Sequence, residues 1–167
     1  MLWPVDVFET FADRNIDDAA QIWAEATAAR DGDIEVPGLQ LSRPVIEQVL
    51  NRSPRSRLLI ARSRDGVAMG FAATEPHLGD DESVAQLRYL GVRPSAWGQR
   101  VGETLLRELE VVLRASGFTR ALLSVYTDNA RATALYVRLG WTPSGQPQPH
   151  PRTGKPEQRY ELRLELS

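Results

Sequence analysis

The sequence contains no cysteine and only two histidines, and it has no long apolar run. Without cysteine, disulfides, zinc–thiolate sites and cysteine nucleophiles are excluded. Neither His77 nor His150 has a second ligand at metal-binding spacing, so we predict no metal site. No stretch approaches the roughly 20 apolar residues of a membrane span, and the first residues lack the pattern of a signal peptide. We therefore expect a cytoplasmic protein with no membrane association.

An excess of one charge is also lacking, because 20 Lys and Arg residues face 22 Asp and Glu residues. This balance provides no basic field for a nucleic-acid backbone, so we predict no nucleic-acid partner. The composition is 42% hydrophobic and 25% charged, which is typical of a globular protein and excludes a disordered, collagen-like or coiled-coil chain. At 167 residues we expect one domain over 1–167, as a monomer or a homodimer.

Hydrophobic periodicity predicts the element order α-α-β-β-β-α-β-α-β-β, with a first strand around 5–11 as an option. The predicted helices begin near Asn15, near Ser42 with Pro44 in the first turn, near Arg100, and at Asn129. Strands are predicted at 57–62, 67–73, 84–92 and 120–126, from Trp141 onward, and at 158–166. Five prolines between Pro143 and Pro156 predict a stiff irregular loop.

The helix predicted between the strands at 84–92 and 120–126 implies that these two strands are parallel, with a right-handed crossover. The remaining connections are hairpins, which join antiparallel strands. We therefore predict an α/β (α+β) fold, a mixed and mainly antiparallel sheet of about six or seven strands. A central parallel pair and about four flanking helices complete this prediction.

The segment 90–106, LGVRPSAWGQRVGETLL, carries the most chemical information. A strand is predicted to end at Val92 and a helix to begin near Arg100, and the first N–H groups of such a helix favour an anion. Gly98 and Gly102 leave the backbone open, and Arg100 adds a charge. The alternative is a turn in which the glycines serve only for bending. The Rossmann and Walker patterns are not met.

Residues 129–141, NARATALYVRLGW, follow this segment. Together with Val92-x-Pro94 and GQRVG at 98–102, this ordered combination resembles the GCN5-related N-acetyltransferase (GNAT) superfamily. The resemblance covers the whole chain in element order and is sharpest over 87–141. Trp97 and Arg100 depart from it, since they stand where the family's phosphate loop has a basic or amide residue and its first glycine.

The resemblance implies acetyl-CoA as cosubstrate. By similarity, the backbone of Leu90, Gly91 and Val92 would pair with the pantetheine arm, with the Val92 N–H directed at the thioester carbonyl. Asn129 would contact the pantetheine, or act only as a helix N-cap. The amides expected to hold the pyrophosphate are those of Gly98, Gln99, Arg100, Val101, Gly102 and Glu103.

The same resemblance places a general acid at Tyr136. A phenol with a pKa of about 10 can return a proton to a sulfur with a pKa of about 8.5. Tyr136 also fits a plain core tyrosine. The resemblance further implies a glutamate base on the strand at 84–92 or on the strand before it. Because 84–92 offers no carboxylate, Glu75 near the end of the preceding strand is the predicted general base, with a plain solvated residue as the alternative interpretation. Glu82, His77 and a chain of water molecules are the other candidates for the base.

The implied activity is transfer of an acetyl group to a primary amine by direct attack in a ternary complex, with a small-molecule acceptor. The alternatives are a protein or peptide amine, or a non-catalytic sensor of acyl-CoA, which the altered loop keeps open. By the same resemblance, the loop between the first two helices walls the acceptor site. Its carboxylates at Asp31, Asp33 and Glu35 would attract a cationic amine, or they are merely solvated. The proline-rich loop with His150, Arg152 and Lys155 would form the opposite wall or pack on a second subunit.

Overall fold

The computed structural model describes residues 6–9, 13–77, 79 and 82–164. Within these residues the strands are β1 (Asp6–Glu9), β2 (Arg57–Arg62), β3 (Ala68–Pro76), β4 (Val84–Val92), β5 (Arg120–Tyr126), β6 (Thr142–Pro149) and β7 (Pro156–Arg163). The helices are α1 (Asp13–Asp31), α2 (Leu39–Asn51), α3 (Val101–Ala115) and α4 (Ala130–Arg138), with a 3₁₀ turn at Pro94–Ala96. No helix in these ranges combines the length and the apolar character that crossing a membrane requires.

The strands form one sheet in the order β1-β2-β3-β4-β5-β7-β6. Of the pairs between described strands, β4 and β5 are parallel and the others are antiparallel. The long crossover through α3 makes this parallel pair, because a short turn can join only antiparallel strands. The predicted fold class, a mixed sheet with a central parallel pair and flanking helices, is confirmed.

Two apolar cores lie on opposite faces of the sheet. On one face, α1 and α2 cover side chains from β2 and β3, including Phe71 and Ala73. On the other face, residues of α3 and α4 pack against inward side chains of β4, β5 and β7. The α3 stripe is fully buried at Leu105, Leu109 and Leu113, which is the spacing expected of an amphipathic helix.

The prediction for α2 was wrong in its start. The helix begins at Leu39 rather than near Ser42, so Pro44 lies inside it and not in its first turn. Proline removes the hydrogen bond to the carbonyl four residues earlier, at Gln40. Gln40 and Pro44 are both exposed, so water can solvate that carbonyl.

The prediction of an irregular loop over 143–156 was also wrong, because half of it is β6, paired with β7. The strand lies at the edge of the sheet, where one row of backbone groups needs no partner, and proline is tolerated there. A register shift between Ser144 and Gln148 accommodates the residues between them. The irregular connection is confined to 150–155.

Other boundaries differ by a few residues. The optional strand at 5–11 is present as β1, although residues 5, 10 and 11 lie outside the described ranges, as do 165–167. The third strand extends to Pro76, because its hairpin partner β4 pairs with it as far as Ala85. The first helix begins at Asp13, two residues before the predicted cap at Asn15.

Candidate functional site

A cleft opens in the middle of the sheet where β4 and β5 separate. The two strands pair only from Val84 to Gln86 on β4, opposite Arg120 to Leu122 on β5. Beyond this point β4 continues to Val92 and β5 to Tyr126 without pairing to each other. The backbone of Leu90, Gly91 and Val92 therefore pairs with β3 on one side and is open to a ligand on the side of β5.

A β-bulge in β4 lies next to the point of separation. Ala73 pairs with Tyr89 and Thr74 pairs with Leu87, so Arg88 has no partner of its own on β3. A bulge bends its strand and increases its twist, which helps to turn β4 away from β5. This feature could not be read from the sequence, because a bulged strand keeps the composition of a regular one.

At the end of β4, the chain enters α3 through a loop with two left-handed residues. Gly98 has φ +83°, and Arg100, the N-cap of α3, has φ +62°. Glycine adopts this conformation freely, whereas a residue with a Cβ atom is strained by about 1–2 kcal/mol. Among the residues that the structure describes, Arg100 is the one non-glycine with positive φ. Strain of this kind concentrates at functional sites.

The first amides of α3 are available for an anion. The first helical hydrogen bond runs from the Thr104 N–H to the Arg100 carbonyl, so the N–H groups of Val101, Gly102 and Glu103 have no acceptor within the helix. The helix dipole adds about half a positive charge at this end. Together these groups form the predicted anion site.

Trp97, which departs from the family pattern, is fixed by two contacts. Its indole Nε1 donates a hydrogen bond to the Val92 carbonyl at 2.9 Å. The guanidinium of Arg131, in the first turn of α4, stacks on the indole with its Cζ 4.7 Å from the ring centroid. The loop thereby gains a cation from α4 next to Trp97. Sequence reasoning missed Arg131.

The N-terminus of α3 packs closely on α4. A Cβ built on Gly102 would lie 3.2 Å from Cδ2 of Leu135 and 3.7 Å from Cγ2 of Val92. The Glu103 Oε1 atom lies 3.3 Å from Nη2 of Arg138 on α4. The absence of a side chain at Gly102 thus lets the loop, the end of β4 and α4 pack closely together. Glycine is favoured here by this packing as well as by the access that it gives to its backbone amide.

Tyr136 of α4 is buried at this junction, with 8% of its surface exposed. Its ring packs against Trp141 and Tyr160, at centroid distances of 6.0 and 6.5 Å. Burial raises the pKa of its phenol to about 12. The hydroxyl is therefore protonated at neutral pH. At the start of the same helix, Asn129 is an N-cap whose Oδ1 accepts a hydrogen bond from the Ala132 N–H at 3.2 Å.

Glu75 lies on the opposite face of the sheet from Tyr136. It follows Phe71 and Ala73 in the alternation of β3, and its side chain is 5% exposed. The Arg88 Nε lies 3.2 Å from one carboxylate oxygen, and the Arg52 Nε lies 3.0 Å from the other. Of the alternative bases, His77 contacts Gln86 at 3.3 Å and Glu82 is exposed.

On this face, the end of α1 meets the loop between β6 and β7 across Tyr126. The Arg30 guanidinium lies 5.8 Å from the Tyr126 ring centroid, and the Lys155 ammonium lies 4.6 Å from it. Thr153 contacts the Tyr126 hydroxyl at 3.3 Å. A hydrogen bond from Arg30 lowers the pKa of Asp31, so this carboxylate is already engaged. Asp33 and Glu35 are exposed.

The structure thus joins the predicted residues into two groups. Gly102 of α3 lies close to Val92 of β4 and to Leu135 of α4, the helix that Asn129 caps and that carries Tyr136. Glu75 lies across the sheet, on the face that packs against α1 and α2. No group of three or more His, Asp or Glu side chains in the described part of the chain is arranged to hold a metal ion.

Comparison with known proteins gives three findings. A family model described as acetyltransferase (GNAT) family matches residues 3–141. The mycothiol acetyltransferase of Stackebrandtia nassauensis is 35% identical over 89 residues, which are 53% of this chain and 29% of that protein. The chain therefore spans less than a third of the length of this relative.

Two solved structures share the fold. A GCN5-related N-acetyltransferase from Kribbella flavida has a TM-score of 0.74 and 22% identity, with 96% of this chain and 98% of that chain covered. An acetyltransferase from Salmonella typhimurium, solved with its cofactor acetyl-CoA, has a TM-score of 0.69 and 20% identity. The comparison with the Salmonella protein covers 96% of this chain and 95% of that chain.

Proposed function

Because this chain belongs to the acetyltransferase (GNAT) family, whose model matches residues 3–141, we propose that it transfers an acetyl group from acetyl-CoA to a primary amine of a small molecule. The family match confirms the resemblance drawn from the sequence. The observation that carries the proposal is the position of the α3 amides at the mouth of the cleft between β4 and β5. Acetyl-CoA carries both a diphosphate, which suits the α3 amides, and an extended arm with amide groups, which suits the cleft.

The chemical groups at this site are of the kinds that would bind acetyl-CoA. The amides of Val101, Gly102 and Glu103 would bind the pyrophosphate, aided by the guanidinium groups of Arg100 and Arg131. The open edge of β4 would bind the amides of the pantetheine arm as an added strand would. The Val92 carbonyl already accepts the Trp97 indole, and a carbonyl has a second lone pair for another donor.

In the proposed reaction, the amine attacks the thioester carbon, the C–N bond forms, the C–S bond breaks, and coenzyme A leaves as a thiolate. Tyr136 would donate a proton to this sulfur. Its pKa of about 12 keeps the proton on the phenol until the thiolate forms. Burial raises the pKa of a thiol bound beside the phenol in the same direction.

The amine must lose a proton before or during attack. Glu75 stays the predicted base, on the face that the acceptor would approach, and Glu82, His77 and water remain its alternatives. A base role for Glu75 predicts that Glu75→Gln lowers kcat for every acceptor alike and alters the acidic limb of the pH profile.

The convergence of α1 and the β6–β7 loop over Tyr126 supports a small acceptor. Arg30 and Lys155 contact the same ring from these two segments. An extended peptide that reached the cleft from this face would have to displace these contacts with Tyr126. We therefore favour a small-molecule amine over a protein substrate.

Calorimetry with CoA and acetyl-CoA, followed by release of free thiol with a panel of amines, tests the proposal. We expect binding heat with both ligands and amine-dependent thiol release. Binding without release for any amine would instead support the acyl-CoA sensor. If neither ligand gave heat at millimolar concentration, the proposed site would be wrong.

Two substitutions at Arg100 separate its strain from its charge. Arg100→Gly should raise the free energy of unfolding by about 1 kcal/mol, because glycine adopts φ +62° without strain. For a chain of this size, the midpoint should rise by about 2–4 °C. Loss of the cation should weaken CoA binding by roughly two- to fivefold. Thermal unfolding and calorimetry measure the two effects.

Arg100→Ala is the matched control, since it removes the same charge but keeps a Cβ in the left-handed conformation. It should weaken CoA binding as much as the glycine variant and show no gain in stability. Equal thermal unfolding midpoints for the two variants would contradict the backbone strain at Arg100. An unchanged affinity for CoA in both variants would show that Arg100 is not part of the phosphate site.

A further inference from the structure

The buried carboxylate of Glu75 holds two arginines from different segments. Arg52 follows α2 and Arg88 is the bulge residue of β4, and each approaches Glu75 through its Nε. The cluster has two positive charges and one negative charge. It therefore keeps a net positive charge beside the cleft.

The contacts that link Glu75 to both guanidinium groups run through their Nε atoms. The Nε–carboxylate distances are 3.0 Å for Arg52 and 3.2 Å for Arg88, and the two side chains are 37% and 45% exposed. Glu75 Oε2 lies within ion-pair distance of Arg52 but receives no hydrogen bond from any described residue. Each guanidinium carries five N–H donors, so the two together have more donors than one carboxylate can accept.

Arg88 lies close to the point where β4 and β5 separate. It is two residues after Gln86, the last β4 residue that pairs with β5, and two residues before Leu90, the first residue of the proposed pantetheine strand. Its guanidinium is therefore placed to meet an anionic group on a molecule whose amine reacts in the cleft.

We propose that Glu75 positions Arg52 and Arg88 as a carboxylate-binding site, and that the acceptor is an amine that also carries a carboxylate, as an amino acid does. The proposal rests on the proposed acetyl transfer and names the substrate class of that site. Arg88 and Arg52 bind the carboxylate through their terminal nitrogens, and Glu75 acts through them as a positioning residue.

The test compares L-amino acids with their amides and their decarboxylated amines as acceptors, by the rate of thiol release from acetyl-CoA. The acid form of the best acceptor should exceed its amide in kcat/KM by about tenfold or more. Arg88→Gln and Arg52→Gln should each bring the acid-to-amide ratio of kcat/KM close to one, mainly by raising KM for the acid. Arg88→Lys, which keeps the charge but loses the planar fork, should restore only part of the preference.

Arg64→Gln is the matched control, because Arg64 is an exposed arginine in the turn between β2 and β3. It should leave the preference intact. Equal rates for acids and amides, or a preference that survives Arg88→Gln, would overturn the proposal. Glu75→Gln should reduce the acid preference, whereas a base role alone would lower kcat for all acceptors equally.

A binding measurement separates this proposal from the proposed reaction. With CoA present, N-acetyl amino acids should bind the wild-type protein more tightly than N-acetyl amino acid amides, by calorimetry, even if no amine is acetylated. Such binding without turnover would leave the carboxylate site standing and reject the reaction. Turnover without any acid preference, or equal binding of the two product forms, would reject the carboxylate site.

Discussion

Tyr136→Phe is expected to lower kcat by roughly 10²–10⁴-fold, the usual contribution of a general acid. The substitution removes one hydroxyl and keeps the ring that packs against Trp141 and Tyr160. The dissociation constant of acetyl-CoA should therefore change little, and the thermal midpoint should stay close to that of the wild type. Thiol release under saturating substrate measures the first effect, and calorimetry the second.

Tyr160→Phe is a close control, because Tyr160 belongs to the same core and is also 8% exposed. No role is assigned to its hydroxyl, so kcat should stay within about twofold of the wild-type value. Equal losses in the two variants would indicate a packing effect. Full activity of Tyr136→Phe would remove Tyr136 from the mechanism and leave it as a core tyrosine.

The raised pKa of Tyr136 also predicts an alkaline effect on stability. The folded phenol has a pKa of about 12, above the value of about 10 expected in the unfolded chain. The stabilising contribution is complete below pH 10 and is lost as the pH rises through 12, because the unfolded state releases the proton first. Denaturant unfolding should show this loss in the wild type and a smaller one in Tyr136→Phe.

Among the substitutions proposed for this protein, Gly91→Ala is expected to lower the free energy of unfolding the most. A Cβ at this position would lie 2.6 Å from Cε1 and 3.2 Å from Cδ1 of Phe71, and 3.4 Å from Cγ2 of Ile22. Phe71 and Ile22 are fully buried, so neither side chain can move aside. Overpacking of this kind costs about 1–3 kcal/mol, which corresponds to a fall in the midpoint of roughly 3–10 °C.

The same substitution should weaken CoA binding, because β4 can relieve the contact only by shifting the backbone proposed to pair with pantetheine. Thermal unfolding and calorimetry measure the two losses. Gly38→Ala is the control, since no atom lies within 4 Å of a Cβ at that position and its φ is −74°. Adding Phe71→Leu to Gly91→Ala should recover part of the stability, and strictly additive losses would contradict the contact.

Much of the architecture was predictable because it depends on local pattern. The strands at 57–62, 84–92 and 120–126 agree with β2, β4 and β5 to the residue, since each is a compact run of β-favouring residues between turn signals. The parallel pairing of β4 and β5 followed from the helix between them. The start of α3 was predicted within one residue, from the end of β4 and the glycines at 98 and 102.

The predictions that failed depended on position in the sheet. Prolines at 143, 147 and 149 are compatible with a strand only at an edge, and the sequence does not state that β6 lies there. The bulge at Arg88 depends on the register between β3 and β4. Register is decided by packing across the sheet rather than by the composition of one strand.

The sequence by itself determined the kinds of elements, their order, the family and the position of the proposed anion-binding helix start, because each depends on spacing within one segment. The tertiary structure decided which segments meet. It placed the Trp97 indole on the Val92 carbonyl, Arg131 over that indole, and Arg52 and Arg88 around Glu75. These contacts join residues of separate elements, and their distances follow from the sheet order, the bulge and the separation of β4 from β5.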